Sequence, residues 1–153
     1  TPPTSEIKWR RINDGGILSI IDALNDHLYD RTTFLKGLSL LISFGQKQQG
    51  YKREFQNKIA ELCMHAIKIF ENDIEIISKA FIVCGYSLIQ KKKKTNVRAM
   101  LLKENFIIDK TEYYMNTYRN NSIIINAISW LRSKLPKQIK LNPIITYKNE
   151  KAK

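Results

Sequence analysis

Apolar residues along most of the chain recur at steps of three and four positions, which is the spacing of one face of an α-helix. The first stripe of this kind covers residues 17–28, and a second covers residues 34–42. Asp30 lies just before the second stripe, where an N-cap stands, and Gly45 lies just after it. The pattern therefore predicts two helices, followed by a polar loop over residues 46–50.

The helical spacing continues through the rest of the chain. Further helices are predicted over residues 51–69, 74–88, 96–102, 106–118 and 122–135. No stretch alternates polar and apolar residues between hairpin turns, so the fold is predicted to be all-α. Pro136 ends the last helix, and residues 136–153 are expected to form a basic C-terminal tail.

The predicted helices also repeat. Offsets of 43 and 47 residues superpose the second helix of each pair on the same apolar columns. The superposed residues are Phe34, Gly37, Leu38 and Leu41, then Ile77, Ala80, Phe81 and Cys84, then Ile124, Ala127, Ile128 and Leu131. The first helices agree for the first two pairs and poorly for the third, where Lys110 falls on an apolar column. Repeats of about 40–47 residues with two or three helices are typical of the armadillo and HEAT class.

Residues 14–135 resemble an armadillo-like helical repeat. The match consists of the run from Gly15 to Leu24, a loop, and a helix whose small residue permits close packing, namely Gly37, Ala80 or Ala127. The resemblance implies a right-handed superhelix of about three helical pairs, within one domain over residues 1–135. A non-repetitive helical bundle is the alternative. Since the first residue is Thr rather than Met, the chain is expected to be either processed or, as the favoured alternative, a piece of a longer protein.

The resemblance also implies a class of function. Armadillo-like proteins are mostly non-catalytic scaffolds that bind an extended partner along a groove lined by the last helix of each repeat. Members that carry nuclear localisation peptides have Trp two residues and Asn six residues after the small residue. Here the positions equivalent to the Trp are Ser39, Ile82 and Ser129, and those equivalent to the Asn are Ser43, Tyr86 and Ser133. Because both residue types are absent from these positions, import of basic peptides is disfavoured.

The column before the small residue consists of Lys36, Lys79 and Asn126. A groove with this basic column would bind an acidic or extended segment of a partner protein. The residues expected to contact the partner are Lys36, Lys79, Tyr86 and Asn126.

The charge of the chain suggests a second function. The formal net charge is +12 over 153 residues, and nearly all of the excess lies in residues 91–153. The candidate polyanion-binding residues are Lys91, Lys92, Lys93, Lys94, Arg98, Lys103, Lys134, Lys137 and Lys140. Such a distribution attracts polyanions, so the alternative function is a nucleic-acid-binding helical repeat. A solvated, lysine-rich surface that binds nothing specific explains the same pattern.

Aromatic residues accompany these basic segments. Tyr113, Tyr114, Tyr118 and Trp130 lie among them, and aromatic residues beside cations recur in single-strand binding surfaces. Tyr114 and Tyr118 share a helix face with Ile107, however, which favours a place in the core. Trp9, near the start of the chain, is expected to cover the apolar end of the first helical pair.

The sequence contains no recognisable catalytic motif. His27 and His65 have no carboxylate or cysteine at metal-ligand spacing, and each is expected to be structural. Cys63 and Cys84 fall on apolar columns, which predicts buried thiols rather than reactive ones. Asp22, Asp26 and Asp30 share one helix face that is expected to be solvated. The chain is therefore predicted to be no enzyme and to hold no metal or cofactor.

The composition places few limits on the compartment. The chain is 43% hydrophobic and 26% charged, which is ordinary for a soluble domain. It has no apolar run long enough to span a membrane and no signal peptide, so no membrane insertion is expected. Two cysteines do not make a disulfide framework, so an intracellular location, cytoplasmic or nuclear, is expected.

Overall fold

The computed structural model describes residues 16–89 and 105–135 and is all-helical in these ranges, as predicted. The helices are α1 (Ile17–Asp26), α2 (Arg31–Gln48), α3 (Arg53–Ile69), α4 (Ile74–Ser87), α5 (Phe106–Thr117) and α6 (Ser122–Ser133). The short helix predicted near residues 96–102 and the tail over residues 136–153 lie outside the described residues.

Polar N-caps begin three of these helices. Asp30 accepts a hydrogen bond from the Thr33 backbone N–H at 3.3 Å, and Asp73 accepts one from Ile76 N–H at the same distance. Asn121 caps α6 in the same way. Each side chain satisfies a backbone donor that has no partner within its helix. The predicted cap at Asp30 is confirmed.

The predicted loop over residues 46–50 is wrong for most of its length. Helix α2 continues through Gly45 to Gln48 and ends where Gln49 adopts a left-handed conformation, with φ of 57°. The Gly50 N–H donates to the Gly45 carbonyl at 2.9 Å, which is the wider of the two bonds of a Schellman motif. The sequence pattern failed here because Gly45 resembles a helix end, whereas its role is to permit a close contact with another helix.

The helices pack as three pairs in two rows. Helix α1 packs on α2, α3 on α4, and α5 on α6. Helix α4 lies between α2 and α6 and contacts both, which makes the α2–α4–α6 row. On the other side, α1 contacts α3, and Lys68 of α3 lies 4.9 Å from the ring centroid of Phe106 in α5. These contacts define the α1–α3–α5 row.

The core lies between the two rows. The residues of the α2–α4–α6 row that the sequence superposes are buried at all twelve positions. Lys110, which falls on an apolar column of the third pair, is half-buried, and its ammonium lies 5.8 Å from the Phe106 ring centroid. The finer prediction, a right-handed armadillo-like superhelix rather than a non-repetitive bundle, stays a prediction.

Candidate partner-binding surface

One side of the α2–α4–α6 row is open to solvent. Helix α4 is covered by α2, α6 and α3, so its exposed and half-buried positions beyond Ile74, its half-buried first residue, form a single stripe along the remaining side. That stripe consists of Glu75, Lys79, Ile82 and Tyr86, at steps of four, three and four residues. We call this side of the row, with the adjoining sides of α2 and α6, the open face.

The residues predicted to contact a partner lie on this row. Lys36 on α2 and Asn126 on α6 are exposed, whereas Lys79 and Tyr86 on α4 are half-buried. The difference follows from position, because within the described residues α4 has a neighbour on each flank of the row, whereas α2 and α6 each have one. The open face therefore offers Lys36 and Asn126 on either side of a partly recessed central stripe.

The two rows differ in charge. Helices α2, α4 and α6 contain one acidic residue, Glu75, whereas the helices of the other row contain several. Arg31 donates to Glu75 at 3.2 Å and also to Asp73, and these bonds raise the pKa of its guanidinium. Arg31 is shared between these two carboxylates at the N-terminal end of α4, and the lysines dominate the potential of the rest of the open face.

An aromatic cluster with a cation lies at the opposite end of α4 from Glu75. Tyr86 on α4 and Trp130 on α6 have ring centroids 4.8 Å apart. The Trp130 indole N–H donates to the Ile82 carbonyl at 3.1 Å, and the Lys134 ammonium lies 4.4 Å from the Trp130 ring centroid. All three side chains are half-buried. We call Tyr86, Trp130 and Lys134 the aromatic ledge.

Two glycines make room for the rings of the ledge. A Cβ at Gly85 would lie 2.4 Å from Trp130 Nε1, and a Cβ at Gly45 would lie 2.6 Å from Tyr86 Cγ. Real Cβ atoms do not approach other heavy atoms so closely, so both positions require glycine while the rings stay in place. The ledge is thus built into the packing of α2, α4 and α6.

The ledge joins residues that the sequence analysis treated separately. Tyr86 is a predicted partner-binding residue, Lys134 a predicted polyanion-binding residue, and Trp130 was in neither set. The sequence did contain a signal for the ledge, namely Gly85 inside one predicted helix and Gly45 at the end of another. An interior glycine destabilises a helix by about 1 kcal/mol and often marks a place where another group packs closely against the backbone. The pattern does not say which side chain approaches, so Trp130 was noted only as an aromatic residue beside the basic segments, and its contacts with Gly85 and Tyr86 were not predicted.

Of the candidate polyanion-binding residues, Lys134 is the one that lies within the described ranges. The others lie outside the described residues: Lys91, Lys92, Lys93, Lys94, Arg98, Lys103, Lys137 and Lys140. Tyr114 is buried, and Tyr118 is half-buried with its ring stacked 5.9 Å from that of Tyr114, in agreement with the core prediction.

The surroundings of the two cysteines and two histidines can be compared with the structural roles expected for them. Cys63 and Cys84 are fully buried free thiols, and burial raises the pKa of Cys63 well above its ordinary value. A raised pKa keeps the thiol protonated and unreactive, as the apolar columns predicted. His65 Nε2 lies 2.8 Å from the Leu28 carbonyl, and His27 is the exposed C-cap of α1.

A concave region of about 430 Å³ lies between α1 and α3. Its polar lining consists of Asp22, Asn25, Lys58, Glu61 and His65. The charged side chains among them include both acidic and basic residues, so the region is not dominated by one sign of charge. Among the described residues, no group of His, Cys, Asp or Glu side chains could hold a metal ion.

Residues 16–89 and 105–135 also contain no helix that is both long and apolar enough to cross a membrane. Comparison of the chain with protein-family models, with curated proteins and with solved structures finds no match. The armadillo-like resemblance therefore stays a prediction, and the function is argued from this chain's own residues.

Proposed function

We propose that the chain is a non-enzymatic scaffold that binds an extended acidic segment of a partner protein across the open face. The observation that carries this proposal is the separation of charge between the two rows. A face with lysines, small polar residues and half-buried aromatic rings, and with its one carboxylate paired to Arg31, is complementary to a carboxylate-rich chain.

The lysines alone do not give tight binding. An exposed ion pair contributes about 0–1 kcal/mol, because water screens the charges and two side chains lose freedom. Burial of apolar surface contributes about 25 cal/mol per Å², and Ile82, Tyr86 and Trp130 offer such surface on this face. The affinity is therefore expected to come from apolar contacts, with the lysines selecting acidic partners and accelerating their association.

The spacing of the helices suits an extended segment. Packed helices lie about 8–10 Å apart, and an extended chain in the polyproline II conformation rises about 3.1 Å per residue with three residues per turn. A segment of this kind that crosses from Lys36 to Lys79 to Asn126 therefore advances by about three residues for each helix. Carboxylates at every third position of the partner would then point to one side of the segment and meet the basic column best.

The test is a binding titration with a labelled peptide of Glu and Ser that has Glu at every third position and one central Leu. Fluorescence anisotropy would compare the wild type with the variant Lys36→Gln/Lys79→Gln. Arg53→Gln/Lys58→Gln serves as the matched control, since it removes the same charge from exposed positions of α3. Loss of two surface ion pairs should weaken binding by roughly 2- to 30-fold in the first variant only.

Equal weakening in both variants would show attraction by net charge rather than binding at the open face. Undiminished affinity in the Lys36→Gln/Lys79→Gln variant would contradict the proposal. Salt provides a further arm, since binding that rests on apolar contacts should weaken only modestly as salt rises.

The nucleic-acid alternative is tested on the same protein with labelled single-stranded and duplex oligonucleotides. Binding through several lysines should weaken steeply with salt because condensed counterions are released from the phosphates. A variant with Lys91, Lys92, Lys93 and Lys94 changed to Ala should then bind less tightly and with a shallower salt dependence. That result, together with no peptide binding, would replace the proposed function by the alternative.

A further inference from the structure

We propose that the aromatic ledge is the main contact point of the open face. In this proposal, which rests on the proposed function, Lys134 holds one carboxylate of the acidic segment. The apolar side chain next to that carboxylate packs on the exposed parts of Tyr86 and Ile82. The partner is thus an extended segment in which an apolar residue adjoins an acidic one.

The first argument is that the ledge is held in place before a partner arrives. Trp130 is fixed by its hydrogen bond to the Ile82 carbonyl, by the close approach to Gly85 and by the Tyr86 ring. Tyr86 is fixed in turn against Gly45 and lies 6.4 Å from the ring of Tyr51. Binding to a surface that is already ordered loses less conformational entropy than binding to a mobile one.

The second argument concerns the ammonium of Lys134. A lysine side chain loses up to about 2 kcal/mol of conformational entropy when it is immobilised. At Lys134 part of this loss already occurs in the free protein, because the ammonium lies over the Trp130 ring. Lys36, on the exposed surface of α2, has no comparable aromatic contact among those that the structure gives. A carboxylate should therefore gain more from Lys134 than from Lys36.

The third argument favours an acidic peptide over a nucleic acid at this point. A base would have to stack on the indole ring of Trp130. The backbone of α4 approaches the pyrrole side of that ring at Gly85, and the Lys134 ammonium lies over it. A stacked base would thus displace Lys134, whereas a carboxylate can pair with the ammonium while it stays over the ring.

Trp130 supplies a direct readout. The sequence has two tryptophans, so the Trp9→Phe variant leaves Trp130 as the one source of indole fluorescence. Titration of this variant with the Glu and Ser peptide should change the Trp130 emission, with the same midpoint as the anisotropy titration. A peptide with Ser in place of the central Leu should bind more weakly, and one with Gln in place of each Glu should not bind at the same concentrations.

The decisive variant is Lys134→Met, which keeps an unbranched apolar side chain over Trp130 and removes the charge. It should weaken peptide binding about fivefold or more, against about twofold for Lys36→Met. Lys134→Arg should restore binding, since a guanidinium keeps the charge and stacks on aromatic rings. Equal unfolding midpoints for the variants would show that the losses do not arise from misfolding.

The outcomes separate the two proposals. If the peptide binds and depends on Lys36 and Lys79, but neither the Trp130 emission nor the Lys134→Met affinity changes, the ledge proposal is wrong and the proposed function stands. If the wild type does not bind the peptide, both are wrong. Quenching of Trp130 by a single-stranded oligonucleotide and not by the peptide would make the ledge a base-stacking site and overturn the proposal.

Discussion

Gly45 and Gly85 each lie inside a helix, where glycine is intrinsically unfavourable by about 1 kcal/mol relative to alanine. At both positions the missing Cβ leaves space for an aromatic ring of the neighbouring helix. The native residue thus reflects a competition between backbone entropy and side-chain packing. The relative magnitudes of these two effects decide whether a substitution by alanine stabilises or destabilises the fold.

Gly85→Ala is expected to destabilise the fold by about 1–3 kcal/mol, the usual effect of overpacking, which exceeds the gain in helix propensity. The new Cβ would lie 2.4 Å from Trp130 Nε1, so the ring would have to leave its hydrogen bond to Ile82. Urea unfolding measures the difference. In the comparison variant Gly37→Ala, the new Cβ would lie 2.7 Å from Leu24 Cδ2, the end of a side chain that can change rotamer, so the destabilisation should be smaller than in Gly85→Ala. A more stable Gly85→Ala protein would contradict this account.

Asp30 allows a prediction about pH. Its hydrogen bond from the Thr33 N–H lowers the pKa of the carboxyl below its ordinary value. A lowered folded pKa means that the stabilisation is present above the unfolded pKa, about 4, and is lost as pH falls through the folded pKa. Asp30→Asn keeps a capping oxygen without a titrating group. The stability of the wild type relative to this variant, measured by urea unfolding, should therefore decline below about pH 4.

Parallel stability profiles for Asp30→Asn and the wild type across that pH range would show that the cap does not depend on the charge of Asp30.

At the scale of elements, α5 is the helix with the fewest neighbours in the described fold. It packs on α6, and its Tyr114 hydroxyl donates to the Glu71 carbonyl in the turn between α3 and α4. Burial raises the pKa of Tyr114, so this hydroxyl stays protonated and able to donate. One hydrogen bond therefore links α5 to the turn of the preceding pair.

Tyr114→Phe is expected to lower the free energy of unfolding by about 0.5–1.5 kcal/mol, the net contribution of one hydrogen bond. Hydrogen exchange should accelerate along α5 while that of α1 changes little, because local opening depends on local contacts. Tyr113→Phe, in which the altered ring is 50% exposed, is the control and should leave both helices unchanged. Equal acceleration in α1 and α5 would show that the bond stabilises the whole fold rather than the attachment of α5.

The elements also show how far the sequence determines the structure. The starts of α4 and α6 followed from apolar spacing, which is a local signal. The true end of α2 could not be predicted in this way. In the sequence Gly45 resembles a helix end, and its contact with Tyr86 is visible only in the folded structure. Likewise, the exposure of Lys36 and Asn126 was predictable from their helices, whereas the contact of Trp130 with Tyr86 and Lys134 depends on how α6 packs on α4.

At the scale of the whole molecule, α4 links the three pairs. It contacts α2, α3 and α6, and Phe81 at its centre is fully buried with its ring 5.7 Å from that of Tyr114. A change in α4 therefore affects every pair at once. By contrast, exposed side chains on the outer helices, such as Ile123, do not lie between pairs.

Phe81→Ala is expected to cost about 3–5 kcal/mol, a large fraction of the stability of a small domain. The loss should appear as one cooperative transition shifted to lower urea, recorded by circular dichroism. Ile123→Ala, at a side chain that is 66% exposed, should change stability by less than about 0.5 kcal/mol. Separate transitions for the first and third pairs in Phe81→Ala would indicate that the pairs fold independently.

The contacts of Gly45 with Tyr86 and of Gly85 with Trp130 also restrict how this protein can diverge. In a homologous chain, a larger residue at position 85 would be tolerated only with a smaller one at position 130, and the same holds for positions 45 and 86. Each pair should therefore vary jointly or not at all. Such paired substitutions would mark a relative whose remaining sequence no longer resembles this one.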